Sequence, residues 1–382
     1  MATAISSTSL PIPPPASATW WSPKTILQIL FVNFGLFFQS TCVVFTQLFS
    51  LFIYPFSFKK YRQFISYTMR MWSQSLVALV QWFAPANIVM TFDESCGSLD
   101  EIIKDGDITN LTFPKRIIVT ANHQIYADWI YIWCIAHLAG AHGVVKIILK
   151  HSLKNLPVYG LGMRFFDFIF LKRKLALDHD TIVGNLERSK KSDQPMWLVL
   201  FPEGTVVSPC TRKRSKEFAE ASNMKDNRYT LLPRSTGLRL CTTTLDDSVE
   251  YMYDFTIGYS GVGANDIPEQ VYTIQSIFFF KHFPKQVHVH VRRFKIATIP
   301  RGNGEEFNQW VHQRWVEKDE LMGHFYKYGV FPDTQDRTID VPIKLRNNSV
   351  MDLAQIWIFL VPYILLLKQL LNFDFHVQNA AA

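Results

Sequence analysis

Residues 116–138 read RIIVTANHQIYADWIYIWCIAHL and decide the fold class of the chain. The opening RIIVT is an apolar, β-branched run that is typical of a buried strand. From Asp128 onward the segment is apolar and aromatic over a length that favours a helix. A polar turn separates the two parts. The segment therefore predicts a strand, a turn and a helix in direct succession, which is the repeating unit of an α/β fold.

The same alternation continues through the middle of the chain. Between residues 114 and 294, short apolar runs alternate with amphipathic or polar segments. This alternation predicts an α/β domain with a central sheet flanked by helices. Residues 307–328 place aromatic and aliphatic side chains near helical spacing among charges, so we expect an amphipathic helix that packs back on the sheet. The predicted strands are residues 116–120, 144–149, 168–171, 197–201, 230–232, 251–257 and 287–294.

The two ends of the chain are apolar. Of the 382 residues, 19% are charged, below the roughly 25% usual in soluble domains. Residues 25–58 contain no charged side chain, and this stretch exceeds the roughly 20 residues needed to span a bilayer. Residues 71–92 predict a helix that dips into one leaflet or crosses it, and residues 353–367 predict a marginal span or an interfacial anchor. A buried helix of the globular domain is the alternative for each stretch.

His123 and Asp128 are the first candidate chemical residues, because they lie on the turn between the predicted strand and helix. In an unbroken helix the five-residue spacing would separate the two side chains by roughly 140°. They can therefore pair only if His123 precedes the helix. Asp128 would then accept the Nδ1 proton, fix the tautomer and leave Nε2 free to take a proton from an alcohol. A structural histidine is the alternative.

Two further candidates follow other predicted strands. Phe201-Pro202-Glu203-Gly204-Thr205 ends the run at 197–201, and an acid at a strand end of an α/β domain lies where ligands collect. Glu203 would bind a polyol hydroxyl or help to place an acceptor, or it would only cap the turn. Lys172-Arg173-Lys174 follows the run at 168–171. A guanidinium there suits a phosphate, although a solvated basic loop is the ordinary explanation.

These motifs carry a resemblance to a known family. The His-x4-Asp element from His123 to Asp128, followed downstream by FPEGT at residues 201–205, resembles the signature pair of the glycerolipid acyltransferase superfamily, of the 1-acylglycerol-3-phosphate acyltransferase type. Four segments are similar to its lysocardiolipin and lysophosphatidylinositol acyltransferase branch, and the length and terminal anchors resemble fungal members. The segments are residues 122–133 (NHQIYADWIYIW), 146–157 (KIILKHSLKNLP), 168–174 (FIFLKRK) and 231–237 (LLPRSTG).

The resemblance implies a role for each matching residue. His123 would be the general base and Asp128 the residue that orients it. Arg173 would bind the phosphate of the acceptor, and Glu203 and Gly204 would belong to the acceptor-binding loop. The resemblance leaves the role of Arg234 open. It also implies a glycerolipid acyltransferase-like fold, with a central mixed sheet flanked by helices, N-terminal membrane helices and a C-terminal apolar anchor.

The expected domain organisation follows from these assignments. Residues 1–23 are expected to be a disordered tail, residues 24–92 membrane-anchoring helices, residues 93–330 the acyltransferase catalytic domain, and residues 331–382 a C-terminal segment with an apolar anchor. Basic residues that follow the first apolar stretch outnumber those before it, which predicts a cytosolic catalytic domain. The implied location is the endoplasmic reticulum membrane.

The expected activity is acyl-CoA-dependent O-acylation of a lysophospholipid, with lysophosphatidylinositol as first choice of acceptor and lysophosphatidate as second. Acyl-CoA would be a co-substrate, with no bound cofactor. No metal site is expected, because His288 and His290 share one strand face but lack a third ligand of suitable spacing. The basic excess of 39 over 32 acidic residues is scattered, so a lipid bilayer is the expected partner and nucleic acid is not.

Three other functions remain open at this stage. A CoA-independent phospholipid transacylase would use the same His123 and Asp128, and the acyl donor would distinguish it. A catalytically silent lipid-binding or scaffold protein would retain the fold, although the intact His123, Asp128 and Glu203 count against it. A metal-dependent hydrolase would depend on the histidines and would be sensitive to chelators.

Overall fold

The fold is seen in a computed structural model that describes residues 22–172, 175–347 and 350–369, and these residues form one sheet of eight strands. Its order is β4-β3-β5-β2-β6-β7-β1-β8. The strands from β4 to β6 in this order run parallel, β7 and β1 run in the opposite direction, and β8 is antiparallel to β1. The expected α/β fold with a mixed sheet is thus confirmed. The strands are β1 (Asn87–Phe92), β2 (Arg116–Ala121), β3 (Val145–Lys150), β4 (Ile169–Leu171), β5 (Met196–Leu200), β6 (Tyr251–Tyr259), β7 (Gln286–Lys295) and β8 (Thr338–Pro342).

Helices cover both faces of the sheet, because successive side chains of each strand point to opposite sides. Ile117 and Val119 of β2 join one buried cluster, with α1, α2 and α4, whereas Ile118 joins a second, with α6, α8 and α11. The predicted helix at residues 307–328 is confirmed as α11. The helices are α1 (Pro23–Ser50), α2 (Phe58–Phe83), α3 (Leu99–Ile102), α4 (Asp128–Leu138), α5 (Tyr159–Phe165), α6 (Leu175–Ser192), α7 (Pro209–Ala221), α8 (Ser235–Thr244), α9 (Pro268–Val271), α10 (Ile274–Phe279), α11 (Gly304–Tyr328) and α12 (Met351–Ala354).

The carboxyl ends of β2 and β5 lie side by side in the middle of the sheet. Thr120 of β2 is in register with Leu200 of β5 on one side and with Asp254 of β6 on the other. From β2 the chain continues to β3, beyond β5, and from β5 it continues to β6, on the other side of β2. Connections that leave neighbouring strands in opposite directions open a crevice at the strand ends. The two predicted motifs at 122–128 and 201–205 follow these two strands directly.

The structure corrects three strand predictions. The apolar residues 87–92 were assigned to a membrane helix but form β1, between β7 and β8. A strand buried on both faces is a continuous apolar run, so composition alone does not separate it from a membrane segment. β8 was not predicted, because it is short and lies at an edge. Residues 230–232 form no strand, because Asp319, Glu203 and Ser215 side chains accept their backbone N–H groups instead of a neighbouring strand.

The amino-terminal helices differ in their surroundings. α1 begins after the Ser22 cap, whose Oγ accepts the N–H of Thr25, with Pro23 in the first turn. It exposes an apolar face that includes Leu27, Phe31 and Phe34. α2 instead buries its second half in the protein core. The expected membrane assignment of residues 71–92 is therefore wrong, because this stretch divides into a core helix and β1.

Two described helices, Pro23–Ser50 and Met351–Gln369, are long and apolar enough to cross a membrane. They pack against each other through polar groups in apolar sequence. The indole Nε1 of Trp357 donates to Oε1 of Gln39 at 2.7 Å, and Nε2 of Gln39 donates to the carbonyl of Leu353 at 3.1 Å. The Tyr363 hydroxyl donates to the carbonyl of Phe45. The two apolar ends of the chain thus form one surface suited to membrane association, and the expected tail at residues 1–21 lies outside the described residues.

Candidate active site

Asn122 fixes the point at which β2 becomes the loop before α4. Its side chain is fully buried and pairs with the main chain of Ile257 in β6. Nδ2 donates to the Ile257 carbonyl at 3.0 Å, and the Ile257 N–H donates to Oδ1 at 2.7 Å. This two-point contact continues the ladder between β2 and β6 by one residue. The following residue, His123, therefore starts from a rigid sheet edge.

His123 and Asp128 pair as the spacing predicts. α4 begins at Asp128, so His123 lies on the preceding turn, and its Nδ1 is 2.7 Å from Oδ2 of Asp128. The same oxygen accepts the backbone N–H groups of Gln124 at 2.7 Å and Ile125 at 3.1 Å. Because this carboxylate oxygen acts as an acceptor, Nδ1 carries the proton and Nε2 is the basic nitrogen. Nε2 has no hydrogen-bond partner in the part of the chain that the structure describes.

Asp128 is fully buried and saturated with donors. Its second oxygen, Oδ1, accepts the hydroxyl of Tyr259, at the end of β6, at 2.5 Å. Burial, first, and the neighbouring carboxylate raise the pKa of Tyr259, so this tyrosine remains a donor. The first turn of α4 also places the positive end of a helix dipole at the carboxylate. Asp128 is thereby held in one orientation as a hydrogen-bond acceptor for the His123 ring.

The FPEGT loop holds His123 at three points. Oε1 of Glu203 accepts the backbone N–H of His123 at 3.2 Å, and the N–H of Val207 donates to the His123 carbonyl at 3.1 Å. The ring of Phe201 stacks on the imidazole, with 4.3 Å between the ring centroids and 24° between the planes. The two sequence motifs are therefore one structural unit. One face of the imidazole is covered, and the His123 side chain retains 17% exposure.

Glu203 lies beneath this unit and not in its opening. The side chain is 3% exposed. Oε1 also accepts the indole N–H of Trp315 at 3.2 Å, and Oε2 accepts the backbone N–H of Leu231 at 3.1 Å. Burial raises the pKa of Glu203 to about 7, against the effect of these donors and of His123. The expected direct contact between Glu203 and an acceptor does not fit this burial, since both oxygens are already engaged by protein N–H groups.

Gly204 provides the sharp turn of the loop, with a φ of +74° that side chains with a Cβ disfavour. The exposed Arg234 side chain passes 3.8 Å from the position of a Cβ at Gly204, and its backbone N–H donates to the Pro202 carbonyl at 2.8 Å. A basic group therefore flanks the loop next to His123. Arg173, the expected phosphate ligand, lies outside the described residues.

A buried ion cluster lies beside the site, between the sheet and α11. Asp254 accepts Nζ of Lys318 and a guanidinium N–H of Arg292, each at 2.8 Å, and the hydroxyl of Thr120. Burial opposes ionisation of Asp254, but the two cations hold its pKa at about 2. Burial lowers the pKa of Lys318 to about 8, against the attraction of Asp254. This cluster fixes α11 to β6 and β7.

The two histidines of β7 lie away from the dyad of His123 and Asp128. His288 packs on Phe325, and His290 packs on Phe331. Burial lowers the pKa of each to about 4. His290 borders a pocket of about 440 Å³ between β7, α11 and residues 332–337, and no dyad residue lines it. Across the described residues, no group of three or more His, Cys, Asp or Glu side chains is arranged to hold a metal ion.

Sequence reasoning missed three residues that hold the dyad: Tyr259, Val207 and Trp315. Tyr259 ends β6, next to β2, so its position at the same sheet edge was a usable indication once the strand order was known. Val207 lies just beyond FPEGT and acts through its backbone, which no side-chain pattern reveals. Trp315 lies 112 positions from Glu203 in the chain, and its place in α11 indicated only a packing role.

Comparison with known proteins matches two regions of the chain to families. Residues 103–249 match the family described as Acyltransferase, and residues 278–355 match that described as Acyltransferase C-terminus. His123, Asp128 and Glu203 lie in the first region, and Trp315 lies in the second.

Similar proteins occur in fungi and animals. An uncharacterized acyltransferase of Schizosaccharomyces pombe is 35% identical over 286 residues, which cover 75% of this chain and 81% of that protein. The 2-acyl-1-lysophosphatidylinositol acyltransferase of Saccharomyces cerevisiae is 35% identical over 266 residues, with 61% of this chain and 67% of that protein covered. Lysocardiolipin acyltransferase 1 of Danio rerio is 28% identical over 323 residues, with 84% and 74% covered.

Proposed function

Because the chain belongs to the glycerolipid acyltransferase family, we propose that it transfers a fatty acyl group from acyl-CoA to the free hydroxyl of a lysophospholipid. The single observation that carries this proposal is the pairing of His123 Nδ1 with Asp128 Oδ2 at 2.7 Å, with Nε2 unpartnered among the described residues. A base oriented in this way takes a proton from an alcohol. No Ser, Thr or Cys side chain within the described ranges is hydrogen-bonded to His123, so the nucleophile is the hydroxyl of the substrate.

The proposed reaction balances without a metal or a covalent enzyme intermediate. Nε2 of His123 accepts the proton of the lysophospholipid hydroxyl as its oxygen forms a bond to the thioester carbon. The C–S bond then breaks, and the imidazolium returns the proton to the departing CoA thiolate. Asp128 stabilises the imidazolium between these two transfers. General-base catalysis contributes about 10² to 10⁴-fold, and positioning of the two substrates supplies further acceleration.

The proposed acceptor is lysophosphatidylinositol, with lysophosphatidate second. The printed name of the Saccharomyces cerevisiae relative supports the first, and the names of plant relatives, such as the 1-acyl-sn-glycerol-3-phosphate acyltransferase 2 of Arabidopsis thaliana, support the second. On the family resemblance we assign Arg173 to the acceptor phosphate and Gly204 to the acceptor-binding loop.

The proposed location is the endoplasmic reticulum membrane, with the catalytic domain facing the cytosol. Two apolar helices support membrane attachment, and the basic residues Lys59, Lys60 and Arg62 begin α2 directly after the apolar stretch. Positive charge next to an apolar segment favours the cytosolic side. A site beside the membrane surface lets both lipid substrates reach the dyad without leaving the bilayer.

The test is an acyl transfer assay with detergent-purified protein, radiolabelled acyl-CoA and a panel of lysophospholipids. We expect wild-type transfer, and we expect His123→Ala to reduce it by at least about 10²-fold because the general base is lost. The control is His179→Ala, which removes an exposed histidine of α6 and should leave transfer unchanged.

Three outcomes would contradict the proposal. Transfer above a few per cent in a normally folded His123→Ala protein would remove the base assignment. Transfer that proceeds from a diacyl phospholipid without acyl-CoA would identify a transacylase. Wild-type protein that is inactive with every donor and acceptor but still binds lipid would identify a silent lipid-binding protein.

A further inference from the structure

Glu203 touches more of the dyad support than any sequence motif indicates. Its carboxylate receives three N–H groups from three separate parts of the chain: the dyad loop at His123, the loop at Leu231, and the indole of Trp315 in α11. We propose that Glu203 and Trp315 are a positioning pair, in which the carboxylate fixes the main chain of His123 and the indole fixes the carboxylate. This inference rests on the proposed acyl transfer.

The two oxygens of Glu203 explain why the residue positions rather than binds substrate. Oε1 accepts from both His123 and Trp315, and Oε2 accepts from Leu231. With 3% of the residue exposed, a lipid hydroxyl would have to displace one of these donors. The displaced N–H would then be buried without a partner, which is expensive in free energy. A direct contact with the acceptor is therefore the less favourable use of this carboxylate.

Trp315 is itself held rigidly. It is among the largest fully buried side chains, with 2% exposure. Nζ of Lys318, one turn further along α11, lies 5.2 Å from the centre of the indole ring, and the same Nζ is bound to Asp254. The indole N–H thus reaches Glu203 from a helix that the buried ion cluster anchors to the sheet. Trp315 belongs to the second matched family region and Glu203 to the first, so this contact joins the two regions at the dyad.

α11 supports the dyad loop at two more points. The hydroxyl of Tyr326 donates to Oε1 of Gln124 at 3.1 Å, and Sδ of Met322 lies 3.9 Å from Nδ2 of Asn122. These contacts lie on either side of His123 in sequence, whereas Glu203 holds His123 itself. A small displacement of the His123 backbone would turn Nε2 away from the hydroxyl, and proton transfer depends strongly on that geometry. Loss of the Glu203 contact should therefore reduce turnover and leave acceptor binding intact.

The experiment measures kcat and the KM of each substrate for Glu203→Gln, Trp315→Phe and the double variant, in full-length protein in mixed micelles. We expect kcat to fall about 10- to 100-fold in Glu203→Gln and about 3- to 10-fold in Trp315→Phe, as loss of hydrogen bonds to a buried carboxylate predicts. Both KM values should stay within about twofold. The double variant should be no slower than Glu203→Gln, because Trp315 acts through Glu203.

The matched control is Trp310→Phe in the same helix, because Trp310 packs on Phe294 and Phe307 and does not reach Glu203. It should keep wild-type kcat. A rise in acceptor KM at constant kcat in Glu203→Gln would show direct acceptor binding and overturn the proposal. A Trp315→Phe protein as fast as Trp310→Phe would overturn the role of Trp315. If Glu203→Gln does not fold, Trp315→Phe alone decides, and inactive wild-type protein would instead count against the proposed acyl transfer.

Discussion

Two fully buried carboxylates contact α11 one turn apart, and the protein treats them in opposite ways. Asp254 is paired with the cations Lys318 and Arg292, and its pKa is about 2. Glu203 is met by N–H dipoles alone, and burial raises its pKa to about 7. The first carboxylate is neutralised where the fold needs an anchor. The second keeps an uncompensated charge next to His123, where the chemistry takes place.

The difference predicts that the two regions fail in different ways. A buried ion pair that loses one partner leaves an isolated charge in a low dielectric, so changes near Asp254 should act on stability. The contacts of Glu203 are directional and each is modest, so changes there should act on the aim of His123 and hence on rate. Paired measurements of stability and turnover therefore test the comparison directly.

The largest effect should follow Lys318→Met. Methionine keeps much of the side-chain length but leaves Asp254 with Arg292 as its remaining cation, so we expect a loss of about 3–5 kcal/mol in the free energy of unfolding. Guanidinium titration of the detergent-solubilised protein measures it. Turnover of the fraction that remains folded should stay close to wild type.

The control for Lys318→Met is Lys327→Met, which removes an exposed lysine near the end of the same helix. It should shift stability by less than about 0.5 kcal/mol, as is usual for surface changes. If the two variants lose similar amounts of stability, the cluster at Asp254 does not anchor α11.

The next effect concerns the pH dependence of stability at Glu203. The pKa of this carboxyl is about 7 in the folded protein, above the usual value of 4.5, so the folded state binds more protons than the unfolded state between these limits. Stability contributed by Glu203 is thus full below about pH 4.5 and is lost as pH rises to about 7. The shift corresponds to a loss on the order of 3 kcal/mol.

Buried histidines titrate with the opposite sign, so the comparison must be made against a variant. Burial lowers the pKa values of His137, His288 and His290 to about 4, and their stability contribution grows as pH rises toward 6.5. The quantity to measure is therefore the stability of wild type minus that of Glu203→Gln, followed from pH 5 to pH 7.5. This difference should fall with rising pH, and a flat or rising difference would show that Glu203 is ionised throughout.

The dyad could be predicted from sequence because its geometry is local. His123 and Asp128 are separated by one turn of chain, and helix periodicity alone placed His123 before the helix. The strand ends at β2 and β5 could also be predicted, since apolar runs of strand length precede both motifs. The partners of Glu203 could not, because Trp315 and Leu231 reach it from distant parts of the chain.

The boundary of the membrane region illustrates the same limit in the fold. Residues 71–92 satisfy the composition of a membrane segment, yet Leu76 to Val80 are buried against the globular core and residues 87–92 pair with β7 and β8. Burial in protein and burial in lipid select the same side chains. The partners that distinguish them, such as β7 at residues 286–295, lie nearly 200 positions away in the chain. Periodicity therefore identified the elements, but it did not identify what covers them.

The smallest effect should follow Phe201→Leu, which keeps an apolar side chain but removes the ring stacked on His123. An aromatic pair contributes about 0.5–1.5 kcal/mol, so we expect kcat to fall about 2- to 12-fold with little change in unfolding free energy. The matched change on the other side of the comparison is Phe294→Leu, because the ring of Phe294 lies 5.5 Å from the guanidinium carbon of Arg292 in the ion cluster. That variant should lose stability by a similar amount and keep its turnover. Equal losses of rate in both variants would mean that the imidazole is aimed by the whole domain and not by the FPEGT loop.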